Sequence, residues 1–241
     1  MLAQQLTRLV FFGRFFRHFF GVFGKSTLTT FLFDFDGTLA DSLSTIVEIT
    51  NRLAPEFGYR PTPPAEVEAL KGLSARQLIR YSGIPVLKIP ALLRRLRIEL
   101  QAHSDQIAPC VGIPAAIRHL HAQNYSLAVI TSNTPAMVHQ FLAAHGLDNC
   151  FISVDGGGTL FGKGRLIAKW LDCHQIMPEK TVYVGDEVRD IQAARFAGIR
   201  PISVTWGFNS REALAAAQPD WLVDHPDTLG AIAASLSRPE A

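Results

Sequence analysis

The chain has 241 residues, 48% of them hydrophobic and 18% charged, with 18 Gly, 14 Pro and 3 Cys. Against a domain of roughly 150 residues this is one domain, or one domain carrying an insertion, and it excludes a disordered, collagen-like or disulfide-stapled chain. The net charge of +2 is uneven: residues 1–33 hold Arg8, Arg14, Arg17 and Lys25 and no acid, so removing those four cations leaves −2 on the rest, which speaks against a nucleic-acid partner.

In chain order, the N-terminal segment 1–24 comes first. Phenylalanine pairs recur every four residues at Phe11/Phe12, Phe15/Phe16 and Phe19/Phe20, a helical period, with Arg14, Arg17 and His18 on the opposite half. Those three polar residues keep any apolar run short of the roughly 18 residues a spanning helix needs. They also split the apolar core of a secretory signal, and no small-x-small cleavage site follows. The functional reading is a basic amphipathic helix in peripheral contact with a membrane surface. A packed extension, or residues translated from an early start codon, are the plainer readings. Gly24-Lys25-Ser26 resembles the end of a phosphate-binding loop, but Phe19 stands where that loop needs glycine.

Leu28 to Asp34 is β-rich and too short for an independent helix, which predicts a buried strand ending at a carboxylate. Ser126–Ile130, Thr181–Val184 and Pro201–Val204 have the same character. Helical periodicity separates them at Ile113–Ala122, Ala136–His145, Lys163–Cys173 and Val188–Phe196, with a further helix over Arg211–Gln218. This alternation predicts an α/β fold with a doubly wound parallel sheet. Residues 42–106 lack strand signals and read as helices over Leu43–Phe57, Ala65–Leu70, Ala75–Tyr81 and Ala91–His103. An inserted α-helical cap is expected there, on a core formed by residues 25–41 and 107–241. Cys110, Cys150 and Cys173 are odd in number and far apart, which fits a reducing, cytoplasmic compartment and gives no structural zinc site.

The binding crevice of an open parallel sheet lies at the carboxyl ends of its strands. Those ends present Asp34-Phe-Asp36-Gly-Thr38, Thr131-Ser-Asn133 and Gly185-Asp186-Glu-Val-Arg-Asp190. Singly each is weak. Asp186 or Asp190 can cap a helix, Thr131 can end a strand, and Lys163 can be a solvated helix residue. Together and in this order they resemble the haloacid dehalogenase superfamily of hydrolases with a helical cap inserted after the first motif, similar to phosphoglycolate phosphatases. The resemblance runs from about Leu28 to the C-terminal region. Asp-Phe-Asp-Gly-Thr matches the first motif, Thr131 the second, Lys163 the third, and Asp186 with Asp190 the fourth.

The resemblance implies that Asp34 is a nucleophile forming an aspartyl-phosphate and that Asp36 is the general acid and base. It implies Mg2+ held by Asp34, the carbonyl of Asp36 and Asp186, with Asp190 in support. Thr131 and Ser132 would bind phosphate oxygens, Lys163 would balance charge, and Gly37 would let backbone approach phosphate. The family often has Pro after the motif-three lysine, whereas Gly164 follows here; Lys169 is the fallback. An acid at position 36 favours phosphate esters over halides, because an alkoxide needs a proton to leave.

A closing cap favours a small phosphomonoester as substrate. Lys71 and Arg76, flanking a Gly-Leu-Ser turn, are candidates for a substrate carboxylate such as that of 2-phosphoglycolate, or plain surface charges. The Arg94, Arg95 and Arg97 run reads as a solvated helix face. Two alternatives stay open: a phosphomutase of the β-phosphoglucomutase type, and a membrane-surface or partner-binding protein whose hydrolase body is secondary.

Overall fold

A computed structural model describes residues 29–104, 106–157 and 162–236. The segment 1–24, with its membrane-contact reading, lies outside them. In chain order the elements are β1 (Thr30–Phe33), α1 (Leu43–Phe57), α2 (Val67–Leu70), α3 (Ala75–Ser82), α4 (Ile89–Ala102), α5 (Ile113–Ala122), β2 (Ser126–Ile130), α6 (Pro135–Ala144) and β3 (Ser153–Asp155). There follow α7 (Lys163–His174), β4 (Thr181–Gly185), α8 (Val188–Phe196), β5 (Arg200–Val204), α9 (Arg211–Ala216), β6 (Trp221–Val223) and α10 (Thr228–Leu236).

The six strands form one parallel sheet in the order β3-β2-β1-β4-β5-β6. Alternation along each central strand sends side chains to both faces. Phe31 and Phe33 of β1, Leu127 and Val129 of β2, and Val182 and Val184 of β4 join one core with Ile113, Ile117, Met137, Phe141, Leu229 and Ile232 from α5, α6 and α10. Leu32, Ala128, Ile130 and Tyr183 point the other way and pack with Ile167, Trp170 and Ala194 from α7 and α8. Burial on both faces is why these strands read as unbroken apolar runs. The chain winds outward from β1 through β2 to β3, then returns across β1 to β4. That reversal opens a crevice beyond the carboxyl ends of β1 and β4.

Residues 42–106 hold α1 to α4 and no strand among the described residues. Ile49, Leu53 and Phe57 of α1 and Leu100 of α4 are buried and continue the larger core. The two crossings into this helical insertion are tied side by side: Asp41 N–H donates to the Ala108 carbonyl at 2.9 Å, and Cys110 N–H to the Leu39 carbonyl at 2.9 Å. Three elements escaped the sequence reading: the three-residue strands β3 and β6 at the sheet's two edges, and helix α10, which covers one face of the core. No helix among the described residues is long and apolar enough to cross a membrane.

Candidate active site

The reversal of strand order puts Asp34 and Asp186 side by side, each at a strand's carboxyl end. Asp34 N–H closes the ladder onto the Val184 carbonyl at 2.8 Å, so the backbone of Asp34 is fixed by β4 itself. Its Oδ1 accepts the Phe35 N–H at 2.8 Å, and its Oδ2 accepts the Lys163 ammonium at 2.6 Å. The same ammonium donates to Asp190 Oδ1 at 2.6 Å. Lys163 is the first residue of α7, the crossover helix from β3, which explains how a residue distant in sequence reaches the β1–β4 crevice. The Tyr183 ring lies 5.5 Å beneath the ammonium, and the Tyr183 hydroxyl donates to the Ile130 carbonyl at 2.9 Å. Lys169 is exposed, whereas Lys163 is the lysine whose ammonium lies between Asp34 and Asp190.

Burial pushes the Asp34 carboxyl up to about 7, against the opposing pull of Lys163. Burial alone would depress the Lys163 ammonium, but Asp190 and Asp34 outweigh it and hold it well above the ordinary lysine value. Asp36 is raised chiefly by burial, even though both of its oxygens have donors: Ser42 Oγ at 2.8 Å and Asn133 Nδ2 at 2.6 Å. Both donors are neutral, so they orient the carboxyl and lower its pKa only in part. That direction favours the protonated form of Asp36 relative to an exposed carboxyl.

Asp186 is fully buried, with Oδ1 accepting from Thr38 Oγ1 at 2.8 Å and Oδ2 from Phe208 N–H at 2.7 Å. Burial, followed by the charges of Glu187, Asp190 and Asp34, raises its pKa well above the ordinary value. One carboxylate oxygen each from Asp34, Asp186 and Asp190 lie within 4.8 Å of one another. When all three are ionised, these buried acids around a single ammonium carry an excess of negative charge that a hard divalent cation would offset. Asp190 is the poorest ligand of the three, because Lys163 occupies its Oδ1 and Glu187 N–H its Oδ2 at 3.1 Å.

Thr131 is buried and its Oγ1 accepts the Asn133 N–H at 3.0 Å, which leaves the hydroxyl hydrogen to donate elsewhere. Ser132 beside it is partly exposed. Gly37 is constrained by more than the expected approach of phosphate. Its φ is +71°, and a Cβ there would lie 2.3 Å from Asp186 Oδ2. Gly37→Ala should therefore cost about 1–3 kcal/mol of stability and displace Asp186; thermal denaturation of the variant checks the first effect. Gly164, where the family often has Pro, packs on Phe196: a Cβ would meet its Cδ1 at 2.9 Å.

In the insertion, Lys71 pairs with Glu68 at 3.2 Å and Arg76 is exposed on the first turn of α3. The structure joins neither side chain to the carboxylate cluster. Conversely, Ser42, Asn133, Tyr183 and Phe208 hold site residues without having been assigned a role from sequence. Asn133 sat in a quoted segment, but its partner Asp36 is 97 positions away.

The family model for haloacid dehalogenase-like hydrolases matches residues 31–204. A phosphoglycolate phosphatase of Synechococcus elongatus is 36% identical over 198 residues, covering 82% of this chain and 93% of that one. One of Vibrio cholerae is 31% identical over 210 residues, covering 82% and 93%. Among solved structures, a haloacid dehalogenase-like hydrolase from Streptococcus pneumoniae aligns with a TM-score of 0.72 at 24% identity, covering 86% of this chain and 99% of that one. Family match, sheet order and strand-end acids agree: the chain belongs to the haloacid dehalogenase-like hydrolases, as an enzyme similar to their phosphoglycolate phosphatases.

Proposed function

We propose that the protein is a magnesium-dependent phosphatase that hydrolyses a small phosphomonoester of the 2-phosphoglycolate type through an aspartyl-phosphate on Asp34. The observation that carries this reading is the Lys163 ammonium held 2.6 Å from both Asp34 and Asp190, beside an Asp36 carboxyl oriented by neutral donors alone. Asp34 Oδ attacks phosphorus, and the bond from phosphorus to the ester oxygen breaks as Asp36 gives that oxygen its proton. Asp36 then takes a proton from the water that attacks the phosphorus of the aspartyl-phosphate, the bond from phosphorus to Asp34 Oδ breaks to restore the carboxylate, and inorganic phosphate leaves. Thr131 Oγ1 and the amides after it donate to phosphate oxygens, while Lys163 offsets the charge that gathers on them. When bound, Mg2+ would sit on Asp34, the Asp36 carbonyl and Asp186 and offset repulsion between carboxylate and phosphate dianion.

The helical insertion serves in this reading as a cap that shuts out bulk water, with Lys71 or Arg76 meeting a substrate carboxylate. Support for the substrate class comes from the two named relatives and from the small space a closing lid leaves.

The test is magnesium-dependent phosphate release from a panel: 2-phosphoglycolate, β-glucose 1-phosphate, nucleotide monophosphates and pyridoxal phosphate. Preference for 2-phosphoglycolate supports the reading, and conversion of β-glucose 1-phosphate to glucose 6-phosphate would replace it with a mutase. Asp36→Asn should lower turnover by about 10²–10⁴-fold for alkyl esters and far less for p-nitrophenyl phosphate, whose leaving group needs no proton. Equal losses on the two esters would remove Asp36 as the acid.

A further inference from the structure

Away from the two chain crossings, the helical insertion is joined to the core at a second place. The carbonyl of Lys71, at the end of α2, accepts the side-chain Nδ2 of Asn209 at 3.0 Å and the backbone N–H of Ser210 at 2.9 Å. Both donors stand on the loop between β5 and α9. The same loop grips Asp186 from the other side: Phe208 N–H donates to its Oδ2 at 2.7 Å, and Asn209 N–H to its carbonyl at 3.3 Å. Asn209 Oδ1 in turn accepts the N–H of Val188, the first residue of α8, at 2.9 Å. A side chain only 8% exposed thus uses the acceptor end of its amide on the helix that follows Asp186 and the donor end on the insertion.

We propose that Asn209 is a positioning residue for the phosphatase site: its amide locks the Lys71 turn of the insertion onto the loop that fixes Asp186, so the insertion's closed position and that carboxylate's orientation are set together. This rests on the reading of the insertion as a cap. Only an amide of this length supplies both a donor and an acceptor at these two points. Asp in its place keeps the acceptor, which faces a helix N-terminus and is favoured there by the helix dipole, and loses the donor to Lys71. Ala loses both. A cap that closes less often lowers apparent substrate affinity in proportion to the closed fraction, while saturating substrate restores closure.

The experiment uses the full chain as wild type, Asn209→Asp and Asn209→Ala. Amide hydrogen exchange is followed over residues 70–78 and 206–212, with and without Mg2+ plus inorganic phosphate, alongside kcat and KM on 2-phosphoglycolate. Asn209→Asp is expected to lower the thermal midpoint less than Asn209→Ala does, to exchange about tenfold faster in both segments, and to raise KM about tenfold with kcat within about threefold, the scale of one net buried hydrogen bond. Asn209→Ala should show the same exchange change together with a lower thermal midpoint. Unchanged exchange or unchanged KM in Asn209→Asp, with a defect confined to Asn209→Ala, overturns the proposal and leaves Asn209 as a cap of α8. If the wild type releases no phosphate from any ester, the phosphatase reading fails by itself, and exchange alone then decides whether Asn209 holds the insertion.

Discussion

Asp34→Asn is expected to lower phosphate release by at least about 10⁴-fold while leaving the fold intact, because it removes the attacking oxygen and keeps the side chain's shape. Its second effect is on stability, and the sign follows from burial. Asp34 is held at about 7 in the folded protein, against an ordinary value of 3.8. Below pH 4 the carboxyl is protonated in both states and burial costs nothing. Between about pH 4 and 7 the unfolded chain gives up a proton that the folded chain retains, so stability falls as pH rises through that window. Asp36, Asp186 and Glu187 are raised too and add to the same slope. Asparagine does not titrate, so the variant should lose part of the decline. With a chelator present, thermal midpoints of wild type and variant should lie close together at pH 4 and diverge by pH 8, the variant being the more stable. Retained turnover would remove Asp34 as the nucleophile, and parallel pH curves would remove its buried charge as a cost.

Much of this arrangement was legible because the residues concerned carry their signal locally. β1, β2, β4 and β5 are apolar runs closed by polar residues, and a strand buried on both faces writes that pattern into four or five consecutive positions. β3 and β6 have three residues each, and their edge positions leave most of those residues only partly buried, so periodicity had nothing to register. Asp34, Asp36, Lys163, Asp186 and Asp190 were readable as a set because ordered motifs announce them. Their supports were not. Ser42, Asn133 and Asn209 are single polar residues on turns or helix entries, a common occurrence. Asn209 meets Lys71 across 138 positions, a pairing that only the completed fold creates. Gly37 was singled out as a glycine that lets backbone approach phosphate, yet the group pressing on it is the Asp186 carboxylate, whose place depends on β4 pairing with β1.

Removing the cation tests the electrostatic half of the site. Lys163→Met fills similar space with an apolar chain and leaves Asp34, Asp186 and Asp190 within 4.8 Å of one another without their ammonium. Losing one partner of a buried ion pair destabilises by about 3–5 kcal/mol, mostly as the cost of the charges left behind. That loss should be largest in metal-free protein at pH 8. It should shrink towards pH 4, where the carboxylates regain protons and the unpaired charge disappears. Mg2+ at pH 8 should recover much of the stability, since a divalent ion among the three acids offsets the same charge. Turnover should stay down by about 10³-fold even then, because in the proposed reaction the ammonium also offsets the charge that builds on the phosphate oxygens. Denaturation at the two pH values, with and without Mg2+, and turnover at saturating Mg2+ separate the two roles. Recovery of both by the metal would make Lys163 a counterion only. Equal destabilisation at pH 4 and pH 8 would mean that its packing, not its charge, holds the cluster together.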